Sequence, residues 1–185
     1  MADGLFYVDM REPHIVSDIA AVTMTTTAKA LYPAAAFPVL GGQYFNRPGK
    51  KIKIGLWQKM VLGATPGNFS YNLHWGSGAD ANGTLICTAG TPVALTASVT
   101  KCGYAEFTVR CLTTGSSGTL QATGWAVWDP AIIGSTLNPI LIPTAGAAAS
   151  AALDLTASNI VSVQALQSGT AGTIQVQELH VTAEN

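Results

Sequence analysis

Polar and apolar residues alternate with a period of two along much of this chain, a pattern typical of half-buried β-strands. The clearest example covers residues 69–75, where Phe69, Tyr71, Leu73 and Trp75 alternate with smaller polar residues. A second example covers residues 51–57, where Ile52, Ile54 and Leu56 are predicted to point inward. Both segments are therefore predicted to be strands with one face in a core.

Residues 104–128 show the same alternation twice, on either side of a glycine-containing turn. We predict that a β-hairpin forms here, because Gly115 and Gly118 supply the backbone freedom of a tight return. The residues predicted to lie in the core are Phe107, Val109, Cys111 and Leu120. Trp125 has the opposite parity, so its side chain is expected on the outer face of the hairpin.

Three further segments are predicted to be strands, although two of them carry irregularities. Residues 19–32 alternate threonines with Val22, Met24 and alanines, which favours a strand although alanine weakens the pattern. Residues 160–166 alternate regularly. In residues 173–182 the parity changes near 177–178, which indicates either a β-bulge or a strand buried on both faces.

The whole pattern predicts an all-β fold, an antiparallel jelly-roll β-sandwich of about eight to ten strands. Strands recur every 8–15 residues between Gly/Pro turns, and no helix is indicated. The long connections at 33–47 and 129–150 favour a jelly roll over a meander. We assign residues 19–185 to this domain and residues 1–18, rich in charged and apolar residues, to an N-terminal arm. The arm is expected either to dock on a neighbouring subunit or to form a first strand.

From the composition, we expect partners to cover much of the protein surface. Charged residues make up 10% of the chain, compared with about 25% in a typical domain. The net charge of −1 argues against nucleic-acid binding. No signal peptide or apolar transmembrane segment is evident, which predicts synthesis in a cytosol and no membrane partner. Three cysteines without a CxxC pattern argue against a disulfide framework or a zinc site.

No motif for catalysis, metal binding or cofactor binding is recognisable, so we predict that the protein is not an enzyme and has no cofactor. The three histidines are isolated from one another and lack metal-ligand spacing. His74 is expected to face solvent or a partner. Asp80 and Asn82 in a glycine-rich loop are a weak calcium signal, because two oxygen ligands without a glutamate rarely suffice.

The strongest local charge feature is basic and contains Arg47, Lys50, Lys51, Lys53 and Lys59. These residues either contact an acidic partner surface or act as gatekeepers that protect an edge strand from pairing. Together with Phe6, Tyr7 and Arg11 of the arm and the outward Trp125, the first four are our candidate partner contacts. For Trp125, a subunit interface is favoured over a sugar-stacking site.

Several segments together resemble a group of tailed-phage structural proteins, in order and texture rather than in a fixed motif. They are Leu62-Gly-x-Thr-Pro-Gly, Phe69-Ser-Tyr-Asn-Leu-His-Trp-Gly, Phe107-Thr-Val-Arg, Gly115-Ser-Ser-Gly-Thr-Leu-Gln-Ala-Thr-Gly and Ile174-Gln-Val-Gln. The resemblance covers residues 22–182. It implies a jelly-roll domain in a virion, commonly a trimer, without catalytic residues: a capsid decoration or minor capsid protein, or a tail-tip component.

The sequence thus predicts a non-enzymatic virion protein, made in the host bacterial cytoplasm, that decorates and stabilises a phage capsid. The expected partners are further copies of itself, in a homotrimer, and the major capsid protein or other virion subunits. The alternative is a receptor- or glycan-binding head domain of a tail or fibre protein, in which Trp125 or Tyr104 would stack on sugar.

Overall fold

The computed structural model describes residues 14–42, 44–78, 80, 82–88, 92–133, 139–143, 146–169 and 172–184. These residues form twelve strands and a short 3-10 turn, Ala34–Ala36. The strands are β1 (His14–Ser17), β2 (Val22–Thr23), β3 (Lys29–Ala30), β4 (Lys51–Val61), β5 (Asn68–Gly76), β6 (Thr84–Thr88), β7 (Val93–Ala94), β8 (Thr100–Thr113), β9 (Thr119–Trp128), β10 (Ile140–Ile142), β11 (Ile160–Gln167) and β12 (Thr173–Glu184).

Two antiparallel sheets pack face to face, which confirms the predicted all-β sandwich. Sheet A has the strand order β1-β12-β4-β8-β9-β10, and β2 also pairs with β12. Sheet B has the order β3-β11-β5-β6, and β7 also pairs with β5. The jelly-roll connectivity stays a prediction. Of the predicted arm, residues 14–17 form β1 at the edge of sheet A, and residues 1–13 lie outside the described residues.

The core lies between the sheets and is filled by the inward residues that the alternation predicts. Phe107, Val109 and Leu120 are fully buried, as the hairpin pattern predicted. One polar group also lies there: Gln58 accepts a hydrogen bond of 2.9 Å from the Tyr71 hydroxyl. Burial raises the pKa of Tyr71, so this hydroxyl remains a donor that satisfies the Gln58 oxygen.

The parity change in the last strand is a β-bulge, one of the two interpretations that the sequence left open. The register of β12 against β4 shifts between Val176 and Glu178. The bulge allows Val176 and Leu179 both to point into the core, where they are fully buried. A single extra residue therefore explains why the two halves of β12 have opposite parities.

The predicted strand at residues 19–32 is wrong, because the chain crosses there from sheet A to sheet B. β2 pairs with β12 in sheet A, whereas β3 pairs with β11 in sheet B. Between them the Thr25 hydroxyl accepts a hydrogen bond from the Thr27 N–H, 3.2 Å away, which stabilises a local turn. The threonines that suggested strand propensity thus make the crossing.

Candidate functional site

Three aromatic side chains form a contiguous row on the outer face of sheet A. Trp57 and Tyr104 are register partners on β4 and β8, and their ring centroids are 4.9 Å apart. Trp125, on β9, lies 5.4 Å from Tyr104. All three point outward because the alternate positions of these central strands supply the core. We call Trp57, Tyr104 and Trp125 the aromatic row.

The aromatic row continues into exposed aliphatic residues on the same face. Leu141 on β10 is the register partner of Trp125 and is 65% exposed, and Trp57 itself is 50% exposed. Val127, the register partner of Tyr104, is also exposed. A contiguous exposed apolar surface of this kind is typical of an interaction site.

Gly55 makes room for the central ring of the row. A side chain at Gly55 would place its Cβ 2.5 Å from the Tyr104 Oη, so the ring lies where only glycine leaves space. The Tyr104 hydroxyl donates a hydrogen bond of 3.4 Å to Glu106. Burial and the Glu106 carboxylate raise the pKa of Tyr104, which keeps its hydroxyl protonated.

Charged side chains of both signs border the aromatic row. Glu184 accepts hydrogen bonds from Lys51 at 2.8 Å and from Lys53 at 3.2 Å. These contacts, with the Lys51 hydrogen bond as the largest cause, lower the pKa of Glu184. Lys53 also lies 3.9 Å from Glu106, and Glu178 contacts His180. The face therefore has an aromatic centre and a polar border with little net charge.

The structure divides the predicted basic cluster into two parts. Lys51 and Lys53 lie on this face and pair with glutamates of the same chain. Arg47 lies in the turn before β4, and Lys50 lies 4.4 Å above the ring of Tyr44. Burial, followed by the charge of Arg47, lowers the pKa of Lys50. The cluster is therefore not a single basic surface.

The gatekeeper interpretation of these lysines is wrong for β4. This strand lies between β12 and β8 in the middle of sheet A, so its lysines protect no edge. Among the other predicted contacts, Trp125 has the predicted outward orientation and is partly exposed. Phe6, Tyr7 and Arg11 lie outside the described residues.

Trp57 is a member of the site that was not among the residues predicted from the sequence. Its parity is opposite to that of Ile54 and Leu56, so the pattern of β4 already placed Trp57 on the outer face. Its juxtaposition with Tyr104 was not visible in the sequence, because it depends on the register between β4 and β8.

His74 is buried within its own chain, contrary to the expectation that it faces solvent or a partner. It lies on the outer side of sheet B, but the loop after β5 covers it, and its Nδ1 lies 3.3 Å from the Gly83 carbonyl oxygen. Ser162 is its register partner. The exposed fractions of His74 and Ser162 are 9% and 1%. This histidine–serine pair is closed to any substrate from solution.

The weak calcium signal at Asp80 has a different explanation in the structure. The Asp80 carboxylate accepts hydrogen bonds from the Lys29 ammonium at 2.8 Å and from the Ala30 N–H at 2.9 Å. The Lys29 hydrogen bond is the main cause that lowers the pKa of Asp80. Within the described ranges, no group of three or more metal-ligating side chains converges.

Comparison with known proteins identifies no relative, so the function has to be argued from the outer face of sheet A. No protein-family model matches the chain, and no curated protein or solved structure matches it. Within the part of the chain that the structure describes, no helix is long and apolar enough to cross a membrane.

Proposed function

We propose that this protein is a non-enzymatic structural subunit of a phage virion, which decorates and stabilises the capsid as a homo-oligomer, most simply a homotrimer. The observation that carries the proposal is the outer face of sheet A, with its aromatic row and bordering charges. The low charge content of the chain supports a protein whose surface is covered in its assembled state.

The composition of the face matches a protein–protein interface. Trp and Tyr are enriched in interface centres and dominate binding energy there, whereas charged residues are concentrated at the rim. Trp57 is half exposed and packs against Tyr104, so its orientation is already fixed before binding. This preorganisation reduces the entropy lost on association. The proposed occupant of the face is a second copy of the chain.

The affinity of the oligomer for a capsid would then be increased by multivalency. Each subunit of an oligomer contributes its own weak contact with the shell, and linked contacts reach high avidity. Binding only to the assembled shell also stabilises that shell by mass action. The major capsid protein or another virion subunit is the proposed shell partner.

The proposal is tested by the mass of the purified protein and by its binding to shells. Trp57→Ala should lower the mass measured by light scattering towards that of one chain, whereas Val39→Ala, at an exposed residue outside the face, should leave the mass unchanged. Co-sedimentation with capsids that lack the protein should be lost in parallel. A wild-type protein that remains monomeric at high concentration and ignores capsids would refute the proposal.

A glycan-binding module is the second candidate, and the aromatic row favours it too. Sugars stack their C–H faces on aromatic rings, and the side chains of both signs beside the row, such as Lys53 and Glu106, can hydrogen-bond hydroxyl groups. The tilts of 47° and 55° between neighbouring rings turn part of each ring towards its neighbour, which fits sugar stacking less well. If Tyr104→Ala and Trp125→Ala abolish binding to cells or glycans but leave the oligomer mass unchanged, this second candidate replaces the first.

A further inference from the structure

A large apolar groove lies on the opposite side of the sandwich from β10, where β1 and β3 are edge strands. Its volume is about 710 Å³. One wall is the chain from Val16 to Val22, and the other wall contains Tyr32 and Ala36, with Gly78 and Asp80 at one end. Six of the thirteen lining residues are alanine or valine, so much of the groove wall is apolar and could contact another chain.

Both walls are fixed by hydrogen bonds to the sheets. The Asp18 N–H donates to the Gln177 carbonyl at the β12 bulge over 2.9 Å, and Asp18 adopts a left-handed φ of 53°. On the other wall, the Tyr32 hydroxyl donates to the Val161 carbonyl at 2.8 Å and accepts from the Val163 N–H at 3.1 Å. The groove is therefore preformed, which favours binding of a segment without reorganisation.

The charge of the groove specifies the chemistry of its occupant. Asp80 already pairs with Lys29, whereas the exposed Asp18 makes no salt bridge with any residue that the structure describes. An apolar stretch followed by one cationic side chain would fill the walls and pair with Asp18. The sequence of this chain contains a segment close to this description: Leu5, Phe6, Tyr7, Val8 and Met10 are apolar, Asp9 lies among them, and Arg11 follows.

The described chain begins beside the groove. His14 Nε2 donates a hydrogen bond of 3.1 Å to the carbonyl oxygen of Ala36, which lines the groove. The thirteen preceding residues, which lie outside the described residues, therefore join the sandwich at the rim. Two observations therefore link residues 5–11 to a groove of this type. The described chain begins at the groove's rim, and the apolar and cationic residues of the segment match the groove walls and Asp18.

A second copy is a better source of the segment than the same chain. β1 runs from His14 to Ser17, and the groove follows the chain onward to Val22, away from the segment. We propose that the groove binds residues 5–11 of a second copy, with Arg11 paired to Asp18. This inference rests on the proposed homo-oligomer and names one of its contacts.

Subunit association measured by light scattering over a dilution series tests the apolar part of the contact. Phe6→Ser with Tyr7→Ser should weaken association about tenfold or more, since loss of buried aromatic anchors typically costs more than 1 kcal/mol. Val39→Ser is the matched control, because Val39 is 59% exposed and lies outside the groove; it should have no effect.

A double-mutant cycle tests the charged part. Arg11→Gln and Asp18→Asn should each weaken association, and the double variant should weaken it by less than the product of the two effects. Asn tolerates the left-handed backbone at position 18, so the variant keeps the wall intact. Independent effects of the two substitutions would overturn the Arg11–Asp18 pairing.

Two outcomes separate this inference from the proposed function. If Trp57→Ala dissociates the oligomer while the Phe6/Tyr7 variant does not, the groove contact is wrong and the proposed function stands. If the Phe6/Tyr7 variant lowers the melting temperature and increases binding of an apolar dye at unchanged mass, the segment covers the groove of its own chain, and the second-copy proposal fails.

Discussion

The outer faces of the two sheets have similar alternating sequences but opposite environments. On sheet A, the outward residues of β4 include the half-exposed Trp57. On sheet B, the outward residues Ser162 and Gln164 of β11 are buried within the chain. Gln164 Nε2 donates to the Asn82 carbonyl oxygen at 3.3 Å. A period of two therefore identifies an outward position without showing whether solvent, the same chain or a partner covers it.

The difference explains why the two faces are assigned different roles. On the outer face of sheet B, polar side chains make contacts within the chain: Gln164 donates to the Asn82 carbonyl oxygen, and His74 Nδ1 lies 3.3 Å from the Gly83 carbonyl oxygen. The aromatic row of sheet A has no such cover among the described residues. A buried polar face stabilises the monomer, whereas an exposed aromatic face is available for a partner.

The largest expected effect comes from placing a charge on the buried outer face of sheet B. The same charge on the exposed outer face of sheet A is the comparison. Ser162→Glu should destabilise the monomer by about 3 kcal/mol or more, because the carboxylate would be buried without a cation. Thr123→Glu, at an exposed outward position of β9, should change stability by less than about 0.5 kcal/mol. Urea unfolding of both variants measures the contrast, and equal losses would show that the faces do not differ.

The next effect tests a buried hydrogen-bonding side chain, Gln167, which lies at the end of β11 with the inward parity of sheet B. Gln167 donates to the Pro66 carbonyl at 2.8 Å and accepts a hydrogen bond of 3.2 Å from the Gly172 N–H, so Gln167→Ala leaves two buried backbone groups without this partner. We expect a loss of about 2 kcal/mol in the free energy of unfolding. Gln121→Ala on sheet A is the control with a partly exposed side chain and should cost clearly less. A reversed order would contradict the expectation that a buried hydrogen-bonded side chain contributes more to stability than a partly exposed one.

Lowering the pH is expected to reduce the free energy of unfolding by a smaller amount. The lowered pKa of Asp80 and of Glu184 means that their stabilising contribution is present above the ordinary carboxyl pKa and is lost as the pH falls through the folded-state pKa. Asp80 is exposed and Glu184 is partly exposed, so solvent screening should keep the loss below about 1 kcal/mol in total. Unfolding at pH 7 and pH 3 should show a smaller difference in Asp80→Asn than in wild type.

The smallest effect is expected for the aromatic row in a single chain. Trp57→Ser should change the free energy of unfolding of the monomer by less than about 1 kcal/mol, because the side chain is already half exposed. Unfolding at dilutions where the wild type is monomeric measures this value. A large loss would show that Trp57 supports the fold of its own chain, which would remove the main support for an interface there.

Much of the candidate site could be read from parity, but its assembly could not. The alternation correctly placed Trp125 outward and Phe107 inward. It gave no sign that Trp57 meets Tyr104, or that Lys53 meets Glu184, because these pairs depend on the register and order of strands distant in sequence. The prediction for His74 was wrong for a related reason. Its burial depends on the loop after β5, and that contact forms only in the folded chain.

By itself, the sequence determined the strands and their inward faces, because side-chain alternation and Gly/Pro turns are local properties of the chain. It also contained the change of parity in β12, which the register against β4 then identified as a bulge. Only the tertiary structure decided that residues 19–32 cross between sheets, that β4 is central, and that one outer face is covered while the other presents the aromatic row. These features depend on which segments meet after folding, and a local pattern carries no information about that choice.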